Sequence, residues 1–133
     1  VEVRVCDIPI NFKEIIALVA LIQALVVTLT KLEAYEDTHI QILQSNKWQA
    51  ARYGLDGVFV DHKTFKKLSM RKAIENLFIL IEPAIVSLGS KKYFNTLEEI
   101  LISGTGSKKQ RKLYSSSKNF PHMLKTLKEQ FYY

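Results

Sequence analysis

Asn46-Lys47-Trp48-Gln49-Ala50-Ala51-Arg52-Tyr53-Gly54-Leu55-Asp56-Gly57 packs a helix, its end and the turn into the next element into one short stretch. Trp48 and Arg52 stand four apart, so a helix puts them on one face, where a guanidinium can lie against an indole. Ala50 and Ala51 keep the adjoining surface thin enough for another backbone or a ligand to approach. Gly54 supplies the left-handed residue that ends helices, and Leu55-Asp56-Gly57 turns the chain. An ordinary helix end, with a packed Trp and a solvated Arg, has the same pattern. Beyond the turn, Gly57 to Val60 and Phe65 to Leu68 are short β-prone runs around Asp61-His62-Lys63-Thr64, which predicts a hairpin. A helix feeding a hairpin sets the class.

Working outward, the same reading finds mostly helices. Val1, Val3 and Val5 alternate with Glu2, Arg4 and Cys6, a strand with one apolar and one charged face. Asn11 caps a helix expected from Phe12 to Glu33, apolar nearly all round and therefore buried on several sides. A second helix runs from Asp37 or Thr38 to Tyr53. Its face His39, Leu43, Asn46, Ala50 mixes polar and small residues. Ser69 caps a third helix reaching Leu88 and closed by Gly89, with Pro83 inside to end or bend it. A shorter helix is expected from Thr96 to Gly104, another from Ser107 to Tyr114, and a last one from Phe120 to Tyr132 with Asn119 as its cap. The fold class is α+β, predominantly helical with a small antiparallel β component. No internal repeat is present.

Composition narrows the function classes. The 133 residues suffice for one domain and one modest core, with 47% hydrophobic and 24% charged residues. The formal charge of +6 suggests an anionic partner, a requirement that nucleotide phosphates, nucleic acid and acidic small molecules all meet. The single cysteine, Cys6, permits no intrachain disulfide and no multi-cysteine zinc site, so a reducing cytoplasmic setting is expected. A buried thiol at the strand end is the reading of Cys6. The first residues show a strand pattern and no signal peptide. Ile15 to Leu29 is apolar but falls short of the roughly twenty residues of a spanning helix, so no membrane is expected. His39, His62 and His122 share no ligand spacing. Glu2 and Arg4 project from one side of their strand roughly 7 Å apart, as a site or as a solvated strand face.

Two segments carry a resemblance. "N-x-W-x-A-A-R-Y-G-L" at Asn46 to Leu55 and "E-V-R-V-C-D" at Glu2 to Asp7 resemble, in the same order, segments of the bacterial carboxylate–amine ligases, the glutamate–cysteine ligase family of the YbdK type. The resemblance covers essentially the whole chain but only the last third or so of the family's length. It implies a single unit, 1–133, that is the C-terminal part of a longer catalytic domain with a glutamine synthetase-like fold. It also implies an ATP- and Mg2+-dependent ligase, of the kind used in glutathione biosynthesis, that joins glutamate to cysteine or another amine through an acyl phosphate. A lone fragment would be inactive. Under the resemblance, Glu2 is a metal ligand and Arg4 the catalytic anion clamp on ATP or substrate. Asn46 and Arg52 become ATP- or substrate-binding residues, Asn46 as a polar support. Small-molecule substrates are then the partners, without nucleic acid or membrane, and a homodimer stays open. Where the family often has an acidic residue before the Asn, this chain has Ser45. Gly104-Thr105-Gly106 followed by Ser107-Lys108-Lys109-Gln110-Arg111-Lys112 is similar to a family turn, and equally a solvated basic helix face. The alternative from another class is a basic helical module that binds nucleic acid or a protein.

Overall fold

The computed structural model describes residues 9–31 and 38–132 together with Val3 and Cys6. In chain order the elements are α1 (Phe12–Leu29), α2 (Ile40–Tyr53), a 3-10 turn (Gly54–Asp56), β1 (Val58–Val60), β2 (Lys67–Ser69), α3 (Met70–Ser87), α4 (Lys91–Ser103), α5 (Gly106–Ser117) and α6 (Phe120–Glu129). The chain is mostly helical, with one antiparallel two-stranded sheet in which Val58 faces Ser69, Phe59 faces Leu68 and Val60 faces Lys67. That is the α+β class expected. The strand expected over Val1 to Cys6 lies outside the described residues, apart from Val3 and an exposed Cys6. The expected burial of that thiol is corrected, since no described residue covers it.

Contacts divide the chain into two compact units, 1–22 with 91–133, and 23–90. In the first, Ala17, Ala20, Phe94, Leu97 and Met123 are buried; in the second, Ala24, Met70, Ile81, Ala84 and Ile85. α1 departs from its expected all-round burial. Its fully covered positions, Glu14, Ala17, Ala20 and Ala24, recur at helical spacing on one side, while Val19 and Leu29 are 51% and 55% exposed. Small side chains let neighbours approach closely on that face, while the larger apolar side chains on the others, Ile15, Leu18, Ile22 and Leu25 among them, are only partly covered. By length and composition α1 is also the one described helix apolar enough to cross a membrane, a test that core helices pass as well.

Local chemistry sets the boundaries. At the start of α1, Asn11 Oδ1 accepts from Glu14 N at 2.9 Å, and Asn11 Nδ2 donates to Glu14 Oε1 at 3.1 Å, a reciprocal cap. Ser69 Oγ accepts from Lys72 N at 3.2 Å and Asn119 Oδ1 from His122 N at 3.0 Å, as the capping pattern requires. Gly89 N reaches Val86 O and Ser90 N reaches Ile85 O, the paired bonds of a Schellman end, so the chain restarts at once and α4 begins five residues before the expected Thr96. α3 continues through Pro83 without ending. α6 ends at Glu129, short of the expected Tyr132, and just beyond it Phe131 O accepts from Phe12 N at 2.8 Å, one of the amides a helix start leaves unpaired.

Candidate functional site

The hairpin and the end of α2 form the best-defined polar constellation in the unit 23–90. Gly54 has the positive φ expected of it, +58°, and its N–H bonds Ala50 O. Gly57 then brings β1 hard against α2: a Cβ there would lie 2.9 Å from Gln49 O and 3.2 Å from Gly54 O. Three bonds fasten the strand. Asn46 Nδ2 donates to Val60 O at 2.9 Å, Val60 N donates to Asn46 Oδ1 at 2.8 Å, and Val58 N donates to Gln49 Oε1 at 3.2 Å. Arg71 adds a long ion pair to Asp56 at 3.9 Å.

The hairpin loop is organised by Asp61. Its Oδ1 accepts from Thr64 N at 2.7 Å, Thr64 Oγ1 at 2.8 Å and Lys63 N at 3.1 Å. The backbone bond from Thr64, first, and the other donors hold this carboxyl below its ordinary range. Gathering six residues into the loop delays pairing, so β2 begins at Lys67, two residues after the expected Phe65. Between hairpin and α3 lies an apolar cleft of about 440 Å³ lined by Phe59, Leu68, Met70, Ile74 and Leu77 among others.

The residues expected to act are placed unequally. Glu2 and Arg4 lie outside the described residues. Asn46 spends both ends of its amide on Val60. Arg52 stands exposed in the last turn of α2, six residues further on. It forms no ion pair among the described residues, and Trp48 does not stack on it. The indole instead meets Tyr53 edge-on, centroids 5.5 Å apart at 80°. An adjacent aromatic reaches the ring edge where an exposed guanidinium remains better hydrated. Gln49, absent from the sequence-derived site, adds one of the three bonds that hold β1. A polar residue three positions from Asn46 on a mixed helix face was the available signal.

At the start of α5, in the other unit, Lys109 Nζ reaches the buried Glu14 Oε1 at 3.0 Å, and Arg111 Nη2 reaches Ser107 Oγ at 3.5 Å. Ser107, Thr105, Gln110 and Glu14 line an open cleft of about 270 Å³. No three His, Cys, Asp or Glu side chains gather into a metal-binding group among the described residues. The described carboxylates therefore do not fit a magnesium cage: Asp61 is committed to main-chain and hydroxyl donors, and Glu14 to Asn11 and Lys109.

This mainly helical chain, with its hairpin fastened to the helix bearing Asn46 and Arg52, belongs to glutamate-cysteine ligase family 2, whose model matches residues 1–127. Proteins provisionally named glutamate–cysteine ligase 2 are its relatives. That of Gloeobacter violaceus is 37% identical over 123 residues, covering 90% of this chain and 33% of the relative. That of Sorangium cellulosum is 30% identical over 134 residues, with 98% and 36% covered. That of Nitrosospira multiformis is 31% identical over 127 residues, with 93% and 34% covered. The chain spans about a third of the length of these curated relatives.

Proposed function

We propose that this chain is the part of an ATP-dependent carboxylate–amine ligase that carries one wall of its site, and that the complete enzyme joins the γ-carboxylate of glutamate to cysteine or a similar amine. The observation that carries this reading is the family match over 1–127, which spans both the Glu2–Asp7 segment and the Asn46–Leu55 segment. In the reaction, a carboxylate oxygen attacks the γ-phosphorus while the bond to the departing ADP breaks. The amine nitrogen then attacks the acyl carbon, inorganic phosphate leaves, and the nitrogen gives up a proton. Arg4 clamps phosphate or carboxylate oxygens through paired planar N–H groups, and Arg52 presents a second cation. Magnesium, when bound, offsets phosphate charge through oxygen ligands. Glu2 would supply one such ligand, with the remaining carboxylates coming from the rest of the complete enzyme. A glutamine synthetase-like catalytic sheet and a cytoplasmic setting belong to the same reading.

The test uses full-length enzyme with ATP, glutamate and a panel of amines, following ADP release and the γ-glutamyl product. Scrambling of 18O from the β,γ-bridge of ATP, dependent on glutamate and seen without amine, is the expected mark of an acyl phosphate. ATP turnover that yields no amide with any amine would end the ligase reading. The isolated 1–133 chain is expected to be inactive.

A further inference from the structure

The outer edge of β1 is closed by side-chain amides where a third strand would otherwise sit. Alternate residues of an antiparallel strand direct their main-chain groups to opposite edges. On the β2 side, Gly57 O accepts from Met70 N at 2.9 Å and Asp61 N donates to Lys66 O at 3.0 Å. Val58 and Val60 face the other way; Val58 N goes to Gln49, and both main-chain groups of Val60 go to Asn46. Those two residues are three apart on α2 and so share a face. They make the rungs of a ladder without a strand, and they occupy the edge groups of Val60 and the Val58 amide that a further strand would use.

We propose that Asn46 and Gln49 are a positioning pair that locks the last turn of α2, and with it Arg52, to the hairpin; its role in turnover rests on the ligase reading above. Under this proposal Asn46 serves Arg52 through Val60 and does not touch substrate. The two amides differ chemically. Asn46 needs both a donor and an acceptor, because Val60 offers it a carbonyl and an N–H. Gln49 uses its oxygen alone, toward Val58 N. A carboxylate can therefore replace Gln49 but not Asn46. Gln49→Glu keeps an acceptor and strengthens it with charge. Asn46→Asp sets an anionic oxygen against the Val60 carbonyl and forfeits a donor.

In the full-length enzyme, amide hydrogen exchange at Val58 and Val60 is measured beside kcat and KM for ATP and glutamate. Asn46→Asp is expected to speed exchange at Val60 by about fivefold or more, while Gln49→Glu leaves Val58 protected and Gln49→Ala does not. In kinetics, Asn46→Asp combined with Arg52→Ala should lower kcat/KM no further than Arg52→Ala alone, because one acts through the other. Gln49→Glu should keep wild-type kinetics. Equal effects of Asn46→Asp and Gln49→Glu would overturn the proposal. So would Asn46→Asp losses that add to those of Arg52→Ala with Val60 still protected, since that marks a direct substrate contact. A complete enzyme with no ligase turnover removes the catalytic role, and the unequal exchange then judges the clamp by itself.

Discussion

Phe65 sits in the hairpin loop with φ of +57°, a conformation that costs a residue with a Cβ roughly 1–2 kcal/mol. Phe65 is 60% exposed and, among the described residues, its one ring contact is the tilted His39 ring at 6.1 Å, so little packing offsets that cost. Phe65→Gly should therefore be more stable than Phe65→Ala by about 1 kcal/mol in urea unfolding, the alanine variant controlling for loss of the ring. Equal stabilities would place the loop outside the left-handed region. Asp61 gives a pH signature. Its folded pKa is depressed, chiefly by the Thr64 backbone bond, so its contribution is present above the ordinary value of 3.8 and is lost as pH falls through the folded value. The stability difference between wild type and Asp61→Ala should shrink below that range, and the Thr64 amide resonance should titrate with it. Arg4 and Glu2 are judged by kinetics of the complete enzyme. Arg4→Ala should lower turnover by a factor worth about 3–4 kcal/mol, as loss of an anion clamp does, and Arg4→Lys should recover little. Glu2→Gln should weaken magnesium dependence more than thermal stability, and near-normal kinetics in all three would return both residues to a solvated strand face. Single residues were the least legible scale. Helical spacing aligned Trp48 with Arg52, yet the ring chose Tyr53, a choice that depends on hydration and not on period.

At the scale of elements, periodicity and punctuation located every described helix and the hairpin, because caps and glycines act locally: Ser69, Asn119 and Gly54 all do what their types imply. The misplaced starts of α4 and β2 have local causes, the Schellman end after α3 and the bonds that gather the Asp61 loop. The two bonds between Asn46 and Val60 span fourteen positions and carry no local pattern. In α1, hydrophobicity alone could not say which face is covered, because nearly every face is apolar. The answer lies in size, since the alanines are buried and the larger side chains are not. Ala17→Leu should thus cost about 1–3 kcal/mol by overpacking, whereas Val19→Ala should cost under about half a kilocalorie. The reverse order in denaturant midpoints would mean that the large side chains form the core.

For the whole molecule, charge is distributed in a way that the total conceals. Residues 106–129 hold Lys108, Lys109, Arg111, Lys112, Lys118, Lys125 and Lys128 against Glu129 alone, so the segment from α5 through α6 carries a charge equal to the net +6 of the entire chain. Lys109 is partly screened by Glu14, and Lys125 lies 3.9 Å from Glu129; the remaining five basic side chains are exposed. Such a surface attracts any polyanion, which is why net charge made a nucleic-acid module a plausible reading of the sequence. Salt dependence separates surface charge from recognition. Phosphate contacts release counterions, so binding to single-stranded DNA should fall with salt at a slope of roughly −0.7 per contact, and a basic face without base readout has nothing left once that term is screened. A titration from low to physiological salt should therefore show weak binding, indifferent to sequence, that vanishes at about 0.15 M, where the Debye length is about 8 Å. Lys108→Gln with Arg111→Gln and Lys112→Gln should remove most of it, while Lys63→Gln with Lys66→Gln and Lys67→Gln, in the hairpin, should not. Sequence-selective binding that survives physiological salt would instead mark α5 and α6 as a true nucleic-acid interface.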